Sequence, residues 1–470
     1  MLSHKFIAVL FPLILGGCVS LDPDYQRPDA PVPAVWPQQG VAAGTAPATT
    51  IPWRSAMIDA RLRQVIDLAL SDNRDLRKAL ADIEAARATY GIQRADLLPT
   101  VNAGLSGSRG RSLSSSSAQG NNATAITQSY EANLAVSSFE LDLFGKTRSL
   151  SRAALESYLS TEAAGKTTRL TLITDTATAY IALAAARSDL LLSEQTVQSA
   201  QKSLEVTRNR QRNGVASAVD VAQAETIYQQ ARADVASNLT AVEQSKNALN
   251  LLVGRPVDEA LLPDNLDALA QAIAPVSAGI SSDVLLQRPD VLEAEHNLKS
   301  ANANIGAARA AFFPSVTLTA SGGMGSTALS SLFSHGAGVW SFAPSISLPL
   351  FDGGANRASL AYAEAQKKGY IASYEKAIQS AFKEVADALA RKSTIDEQLS
   401  AQRDYLSASQ RSYQLADSRY REGVDTYLNV LDAQRTLYSA HQSLIAAEQV
   451  RLNNLVTLYN VLGGGVSVTQ

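Results

Sequence analysis

Two long stretches of the chain contain no proline and almost no glycine. Between about Lys146 and Arg212 the only glycine is Gly165, and apolar residues recur at spacings of three and four. A second such stretch runs from about Ala355 to Glu422. At 1.5 Å per residue, each predicts on the order of 100 Å of continuous helix. An ordinary globular domain cannot contain a helix of that length, so the fold must be elongated.

Each long stretch is followed by a turn and a returning helix. The turns fall at Gly214 and Gly423, and the returning stretches end near Gly254 and Gly463. Because glycine readily ends a helix in a left-handed conformation, we expect each pair to form a long antiparallel coiled hairpin. The abundance of Ala and Ser favours such close helix packing.

A different period precedes each long stretch. Helical patterns over about residues 58–97 and 282–312 stop at Pro99 and Pro314. Apolar residues then alternate with Ser, Thr or Asn, which predicts strands. We expect two strands in each half, of about nine to eleven residues. The loops between them are Gly- and Ser-rich and are expected at about 107–127 and 322–338.

Strands that are apolar on one face and polar on the other are typical of a transmembrane β-barrel with lipid outside and water inside. A soluble sheet with one face on a core has the same alternation and stays an alternative. Four strands cannot close a barrel alone, and open edges in lipid leave backbone groups unpaired. A trimer would supply twelve strands and a tetramer sixteen, and the strand arithmetic does not choose between them.

The two halves are copies of one plan. Asn73-Arg74-Asp75-Leu76 aligns with Arg288-Pro289-Asp290-Val291, and the residues around Gly214 align with those around Gly423. We divide the chain into successive segments on this basis. They are a signal peptide (1–17), an anchor and Pro-rich extended tether (18–57), a first repeat (58–255), an inter-repeat linker (256–281), a second repeat (282–463) and a tail (464–470).

The single cysteine, Cys18, lies directly after a short secretory-type segment. Lys5 precedes an apolar run that ends in Leu15-Gly16-Gly17-Cys18, which resembles the lipobox of bacterial lipoproteins. The resemblance implies that residues 1–17 are removed and that Cys18 becomes the mature N-terminus and is diacylated, with fatty acids such as palmitate. Val19 instead of Asp after the cysteine favours the outer membrane. An ordinary signal peptide with an incidental cysteine is the alternative.

The sequence offers no catalytic chemistry. The formal charge is −3, which gives no electrostatic reason to expect nucleic acid as a partner. None of the four histidines lies in a metal-binding pattern, and there is no P-loop, dinucleotide fingerprint or nucleophile elbow. We therefore expect no enzyme activity, no cofactor and no metal site. A lipid-anchored coiled-coil scaffold and a periplasmic enzyme are the competing hypotheses to a channel.

A set of ordered motifs resembles one known family. The motifs are Trp53-Arg54, Asn73-Arg74-Asp75-Leu76, Phe139-Glu140-Leu141-Asp142-Leu143-Phe144-Gly145, Leu286-Gln287-Arg288-Pro289-Asp290, Gly306-Ala307-Ala308-Arg309-Ala310-Ala311-Phe312-Phe313-Pro314-Ser315, Leu431-Asp432-Ala433-Gln434-Arg435 and Leu462-Gly463-Gly464-Gly465. Together they resemble the TolC-like outer-membrane factors, within the lipoprotein branch that serves resistance-nodulation-division efflux pumps.

The resemblance implies a fold and a set of partners. The fold is a membrane β-barrel plus an all-α coiled-coil tunnel, in which three protomers close a twelve-stranded barrel above long periplasmic helices. The partners are two further copies, a periplasmic adaptor protein, an inner-membrane resistance-nodulation-division pump and outer-membrane lipid. The implied function is a passive exit duct for drugs or other toxic small molecules.

Two sets of site residues follow from this resemblance and from the position of the helical turns. The expected adaptor-contact tips are Gly214, Val215, Ser217, Gly423, Val424 and Thr426. The expected periplasmic gate is Leu415, Asp417 and Arg421, each forming a ring under threefold symmetry. Arg208, Arg210 and Arg212 of a neighbouring coil are further candidate partners for Asp417. A solvated helix end is the alternative interpretation.

The lipobox predicts covalent acylation at one residue. Cells that express the protein and receive a labelled fatty acid should transfer label to the wild-type chain, whereas Cys18→Ser should receive none because the acceptor thiol is gone. The label is measured on the purified protein. A wild-type chain without label would show that the lipobox interpretation is wrong.

Overall fold

The computed structural model describes residues 20–37, 50–114, 123–276 and 281–465. They form two compact units, each assembled from separated parts of the chain. Unit 1 contains the described residues within 1–28, 84–160 and 295–373, and unit 2 contains those within 29–83, 161–294 and 374–470. Among the described residues, no helix has both the length and the apolar character that crossing a membrane requires.

The described residues of the first half contain five α-helices and two strands. In chain order they are α1 (Trp53–Ala56), α2 (Ala60–Asp72), α3 (Arg74–Ala95), β1 (Val101–Ser114), β2 (Ala123–Leu141), α4 (Lys146–Arg212) and α5 (Ala218–Val253). Short 3-10 turns follow at Glu259–Leu261, Asp267–Leu269 and Ser282–Gln287.

The second half repeats the same order. It contains α6 (Pro289–Ala310), β3 (Ser315–Ser326), β4 (Gly338–Ser347), α7 (Ala355–Arg421) and α8 (Tyr427–Val461), with one 3-10 turn at Leu329–Ser331 between the strands. Helices α4 and α7 each have 67 residues, within one residue of the sequence-predicted bounds.

The helix predicted over 58–97 is interrupted at Asn73, so that prediction was wrong at this position. Asn73 adopts an extended backbone and separates α2 from α3. Its side-chain oxygen accepts a hydrogen bond from the Leu76 amide at 2.8 Å, and its Nδ2 donates to the Leu252 carbonyl at 2.8 Å. A helix cap and a long-range contact thus stabilise the break. Similarly, the stretch predicted over 282–312 begins with a 3-10 turn before Pro289.

The four strands form one antiparallel sheet in the order β1-β2-β3-β4. The register places apolar residues opposite one another: Val101 pairs with Val136, and Val136 with Ala320, which in turn pairs with Phe342. Near this row one sheet face is apolar on all four strands, as the alternation predicted, whereas Arg109 and Gln128 lie on the same face farther along β1 and β2. The opposite face carries small and polar residues such as Asn102.

A bulge in β2 keeps that face continuous. The register shifts between Val136 and Phe139, and Ser138 in the bulge has a positive φ of 56°. Its backbone amide donates to Thr319 Oγ1 at 3.3 Å. Since side chains alternate with a period of two, one extra residue is needed to return Phe139 to the apolar face.

Three strands are longer than the nine to eleven residues expected, and β3, with 12 residues, is the shortest of the three. β1 has 14 residues and β2 has 19, and both extend into the range predicted as a loop at 107–127. β3 likewise extends to Ser326, inside the loop predicted over 322–338. The Gly- and Ser-rich composition of these ranges predicted turns. The strands nevertheless continue through them, because strand pairing depends on hydrogen bonds between main-chain groups.

An aspartate precedes each long helix. Asp142 accepts hydrogen bonds from the amides of Thr147 and Arg148, at 3.2 and 2.9 Å. Asp352 accepts from the amides of Gly354 and Asn356, both at 2.8 Å. These hydrogen bonds lower the pKa of Asp352. Negative charge at a helix start also interacts favourably with the helix dipole, so the two related motifs have the same local role.

A charged cluster in unit 2 involves Arg288, whose side chain is buried. Its guanidinium contacts Asp290 at 2.7 Å and Glu384 at 2.8 Å and donates to the Val461 carbonyl at 2.7 Å. The Arg288-Pro289-Asp290 motif thus joins the region before α6 to α7 and the end of α8. The arginine is fully engaged within the chain, which disfavours its use as an anion-binding group.

Gly254 ends α5 in a left-handed conformation, with φ of 83°, and a Cβ there would lie 2.5 Å from the Asp72 carbonyl oxygen. Gly214 is a matched control, since its φ is 75° but a Cβ would meet nothing within 4 Å. We expect Gly254→Ala to lower the thermal unfolding midpoint clearly more than Gly214→Ala, which incurs only the backbone cost of about 1 kcal/mol. Equal midpoints, measured by circular dichroism, would contradict the contact.

Candidate functional site

The two turns predicted as tips have the same backbone. Gly214 and Gly423 have φ of 75° and 76°. The amide of Val215 donates to the Arg210 carbonyl, and the amide of Val424 to the Arg419 carbonyl, each at 2.9 Å. Both are Schellman motifs, which satisfy the last carbonyls of a helix. Val215 and Val424 are each 63% exposed, so each turn presents one apolar side chain to solvent.

The residues after each turn differ between the copies. Ser217 begins α5 with a reciprocal capping box, in which it exchanges hydrogen bonds with Asp220 at 3.1 and 2.9 Å. Thr426 precedes α8 without a side-chain cap bond. In the second turn Arg419 instead pairs with Asp425 at 2.5 Å, and this bond lowers the pKa of Asp425.

The structure brings together two of the three predicted gate residues. Arg421 and Asp417 form an ion pair at 2.8 Å, one helical turn apart on α7. The Asp417 side chain is the less exposed of the two, at 25% against 63%. Leu415 does not join this pair and is 65% exposed. Asp417 and Leu415 therefore have different surroundings within a single chain.

The other candidate partners of Asp417 have different contacts. Arg208 pairs with Glu225 at 3.4 Å, and Arg212 donates to Asn209 at 2.6 Å. Arg210 contacts α7, but at residues other than Asp417. Within the described chain, the ion-pair partner of Asp417 is Arg421.

Arg210 joins the end of α4 to the end of α7. Its guanidinium lies 4.7 Å from the centre of the Tyr420 ring, and its Nη1 donates to the Arg421 carbonyl at 2.8 Å. The first contact is a cation–π interaction and the second satisfies a carbonyl in the last turn of α7. We call this pair of contacts the Arg210 latch.

The latch covers a small apolar cluster that the sequence did not reveal. Its buried members are Leu204, Ala224, Tyr420, Tyr427 and Val430. The two tyrosine rings meet edge to face at 5.3 Å, and the Tyr427 hydroxyl lies 3.2 Å from Ser203 Oγ. Burial raises the pKa of Tyr427. The sequence does contain one indication of this cluster: Tyr420 and Tyr427 lie on either side of Gly423, and aromatic residues on both sides of a helix turn can pack together.

Cys18, the predicted acylation site, lies outside the described residues. Within the described ranges no group of three or more His, Cys, Asp or Glu side chains is placed to hold a metal ion.

The outer membrane efflux protein family matches residues 65–255 and 280–464 of the chain. The chain is 48% identical over 456 residues to the antibiotic efflux pump outer membrane protein ArpC of Pseudomonas putida, covering 96% of this chain and 93% of ArpC. It is 45% identical over 476 residues to the solvent efflux pump outer membrane protein SrpC of Pseudomonas putida, covering 100% of both.

A solved structure has the same fold. The open state of the MtrE outer membrane channel of Neisseria gonorrhoeae matches with a TM-score of 0.85 and 39% sequence identity. The match covers 95% of this chain and 99% of the MtrE chain.

The Arg210 latch predicts a difference between two neighbouring arginines. Arg210→Ala should increase amide hydrogen exchange several-fold across residues 418–424, because the last turn of α7 loses a carbonyl partner and a ring contact. Arg212→Ala is the control, since Arg212 bonds only within α4 in the contacts described. Mass spectrometry of the exchanged peptides measures both. Equal exchange in the two variants would refute the latch.

Proposed function

Because the chain belongs to the outer membrane efflux protein family and is an outer-membrane efflux channel, we propose that it forms the exit duct of a tripartite pump. Three protomers associate and their sheets close a twelve-stranded barrel. The helical hairpins form the periplasmic part of the duct. Substrate passes without chemical change, so the role is transport and not catalysis.

The exposed apolar face of the sheet is the observation that supports this proposal most directly. Leu105, Trp340 and Ile346 are 75%, 81% and 73% exposed, although they are large apolar side chains. Water makes such a surface unfavourable, whereas lipid contact makes it favourable. The free edges of β1 and β4 find partners in neighbouring protomers, which closes the sheet.

The proposal assigns partners by position along the chain. Val215 and Val424, exposed at the two turns, contact the periplasmic adaptor together with Gly214, Ser217, Gly423 and Thr426. The adaptor connects the duct to a resistance-nodulation-division pump. ArpC is an antibiotic efflux protein and SrpC a solvent efflux protein, which supports toxic, largely apolar small molecules as the cargo here.

Acylation of Cys18 completes the proposal. An acyl chain contributes roughly 0.8 kcal/mol per buried methylene, and the two chains of a diacylated cysteine bind a membrane far more stably than one. The barrel supplies the permanent attachment, so the lipid would add to it and guide the chain to the outer membrane.

The gate is tested by removing the side chains expected to narrow the periplasmic mouth. Asp417→Ala combined with Leu415→Ala should raise single-channel conductance in planar bilayers and sensitise cells to large antibiotics such as vancomycin. Removal of Asp417 also removes the ion pair that holds Arg421 at 2.8 Å, so the ring loses both its carboxylates and its fixed arginines.

The control for the gate is Leu428→Ala, an exposed apolar residue in the first turn of α8. It should leave conductance near the wild-type value. Trimer content, measured by native mass, should be the same in all three proteins. A double variant that assembles normally and keeps wild-type conductance would place the gate elsewhere.

A further inference from the structure

The first described residues of the chain lie along one helix of unit 1. Residues 20–27 follow α6 from its end towards its beginning. The Leu21 carbonyl accepts from Arg309 Nη1 at 3.3 Å, and the Pro23 carbonyl accepts from Asn302 Nδ2 at 2.7 Å. Farther along, Tyr25 and Arg27 both reach Glu295. A Pro-rich stretch that composition described as an extended tether is therefore bound to the body of the protein.

The α6 residues that make these contacts form a single stripe. They are Glu295, Lys299, Asn302, Gly306 and Arg309. Successive members are separated by four, three, four and three positions, which places all of them on the same face of a helix. The stripe is polar and charged, yet it faces a segment of protein instead of solvent.

The bound segment and the α6 stripe have similar lengths. From Leu21 to Arg27 there are six residue steps, which span about 20 Å when the chain is fully extended. From Arg309 to Glu295 there are fourteen helical steps, which span about 21 Å. The two lengths are similar, so an extended segment can follow the whole stripe, and the long side chains of Arg309 and Arg27 complete the contacts at its ends.

Asp22 joins α6 to α4 at one end of this segment. Its carboxylate accepts from Ser149 Oγ at 2.5 Å and pairs with Arg152 at 2.6 Å, both in α4. On the α6 side, a Cβ built at Gly306 would lie 1.8 Å from Asp22 Oδ1 and 2.8 Å from the Asp22 amide. Only a residue without a side chain fits there, which gives a physical reason for glycine at position 306.

Glu295 holds the other end. Its side chain is 3% exposed and contacts Arg27 at 2.8 Å, Lys299 at 3.1 Å and the Tyr25 hydroxyl at 3.2 Å. Burial raises the pKa of Glu295, but hydrogen bonds from Lys299 and Arg27 outweigh it and lower the pKa overall. The carboxylate is therefore charged and fully engaged at neutral pH. Lys299 also lies 5.4 Å from the centre of the Tyr25 ring.

We propose that residues 20–27 act as a clamp: their contacts with the α6 stripe hold the segment that follows the acylation site at a fixed position along α6. Asp22 lies only four positions after Cys18, and four residues span at most about 14 Å. The clamp thus limits where an acyl group on Cys18 can lie, and it fastens α4 to α6 through Asp22. This consequence for the lipid rests on the proposed anchor, whereas the clamp itself does not.

Proteolysis at Tyr25 tests the clamp. Chymotrypsin cleaves after aromatic residues in segments that open, and cleavage tracks the open population when reclosing is fast. Purified trimers from cells fed labelled fatty acid are digested, and the N-terminal fragment is followed by mass and by label. Gly306→Ala and Glu295→Gln should each increase the rate of cleavage after Tyr25 about tenfold, because each weakens one end of the segment.

Gly369→Ala is the matched control, since Gly369 is also a helical glycine of unit 1 and a Cβ there meets nothing within 4 Å. It should cleave at the wild-type rate. If Gly306→Ala fails to assemble, Glu295→Gln alone decides. Cleavage rates equal to that of Gly369→Ala would refute the clamp. Absence of label from the wild type would refute only the lipid anchor, because the fragment mass still reports the cleavage rate.

Discussion

A four-stranded antiparallel sheet leaves one edge of β1 and one edge of β4 without a partner in the same sheet. In lipid each unpaired backbone group costs several kcal/mol, so the sheet cannot be inserted alone. The rest of the molecule depends on this constraint. Association of protomers satisfies the edges, and each added protomer brings two helical hairpins with it. A sheet that must be closed by copies of itself therefore determines how many helices surround the duct.

Much of this architecture could be predicted from periodicity and glycine positions. The family resemblance and the fold class are confirmed, and the bounds of α4 and α7 were predicted within one residue because proline is absent from both. The bulge in β2 is also visible in the sequence. Two polar residues, Ser137 and Ser138, separate the apolar Val136 and Phe139, where a strict alternation of apolar and polar residues would have only one. The strand lengths were underestimated because Gly and Ser residues suggest turns, whereas main-chain pairing does not depend on the type of side chain.

Other features depend on contacts between residues far apart in sequence and could not be predicted. The break at Asn73 depends on the Leu252 carbonyl, which is 179 positions away. The buried state of Glu295 depends on Arg27, at a separation of 268. Neither residue has a local pattern that distinguishes it from a solvated polar side chain on a helix. Partners that are distant in sequence determine whether a helix breaks or a carboxylate is buried, and the sequence of one chain does not identify those partners.

The two helical turns have the same backbone conformation but different side-chain contacts. The first is held by the Ser217 capping box, whose bonds form between adjacent groups of the chain. The second lacks that box and has the Arg419–Asp425 and Arg421–Asp417 ion pairs, with exposed arginines. Exposed ion pairs weaken as the ionic strength rises. Because Arg419 lowers the pKa of Asp425, this carboxylate becomes protonated only at a lower pH than an ordinary aspartate does. Salt weakens ion pairs beside both turns, since Arg208 also pairs with Glu225 beside the first, but only the second turn has ion pairs that adjoin the proposed gate.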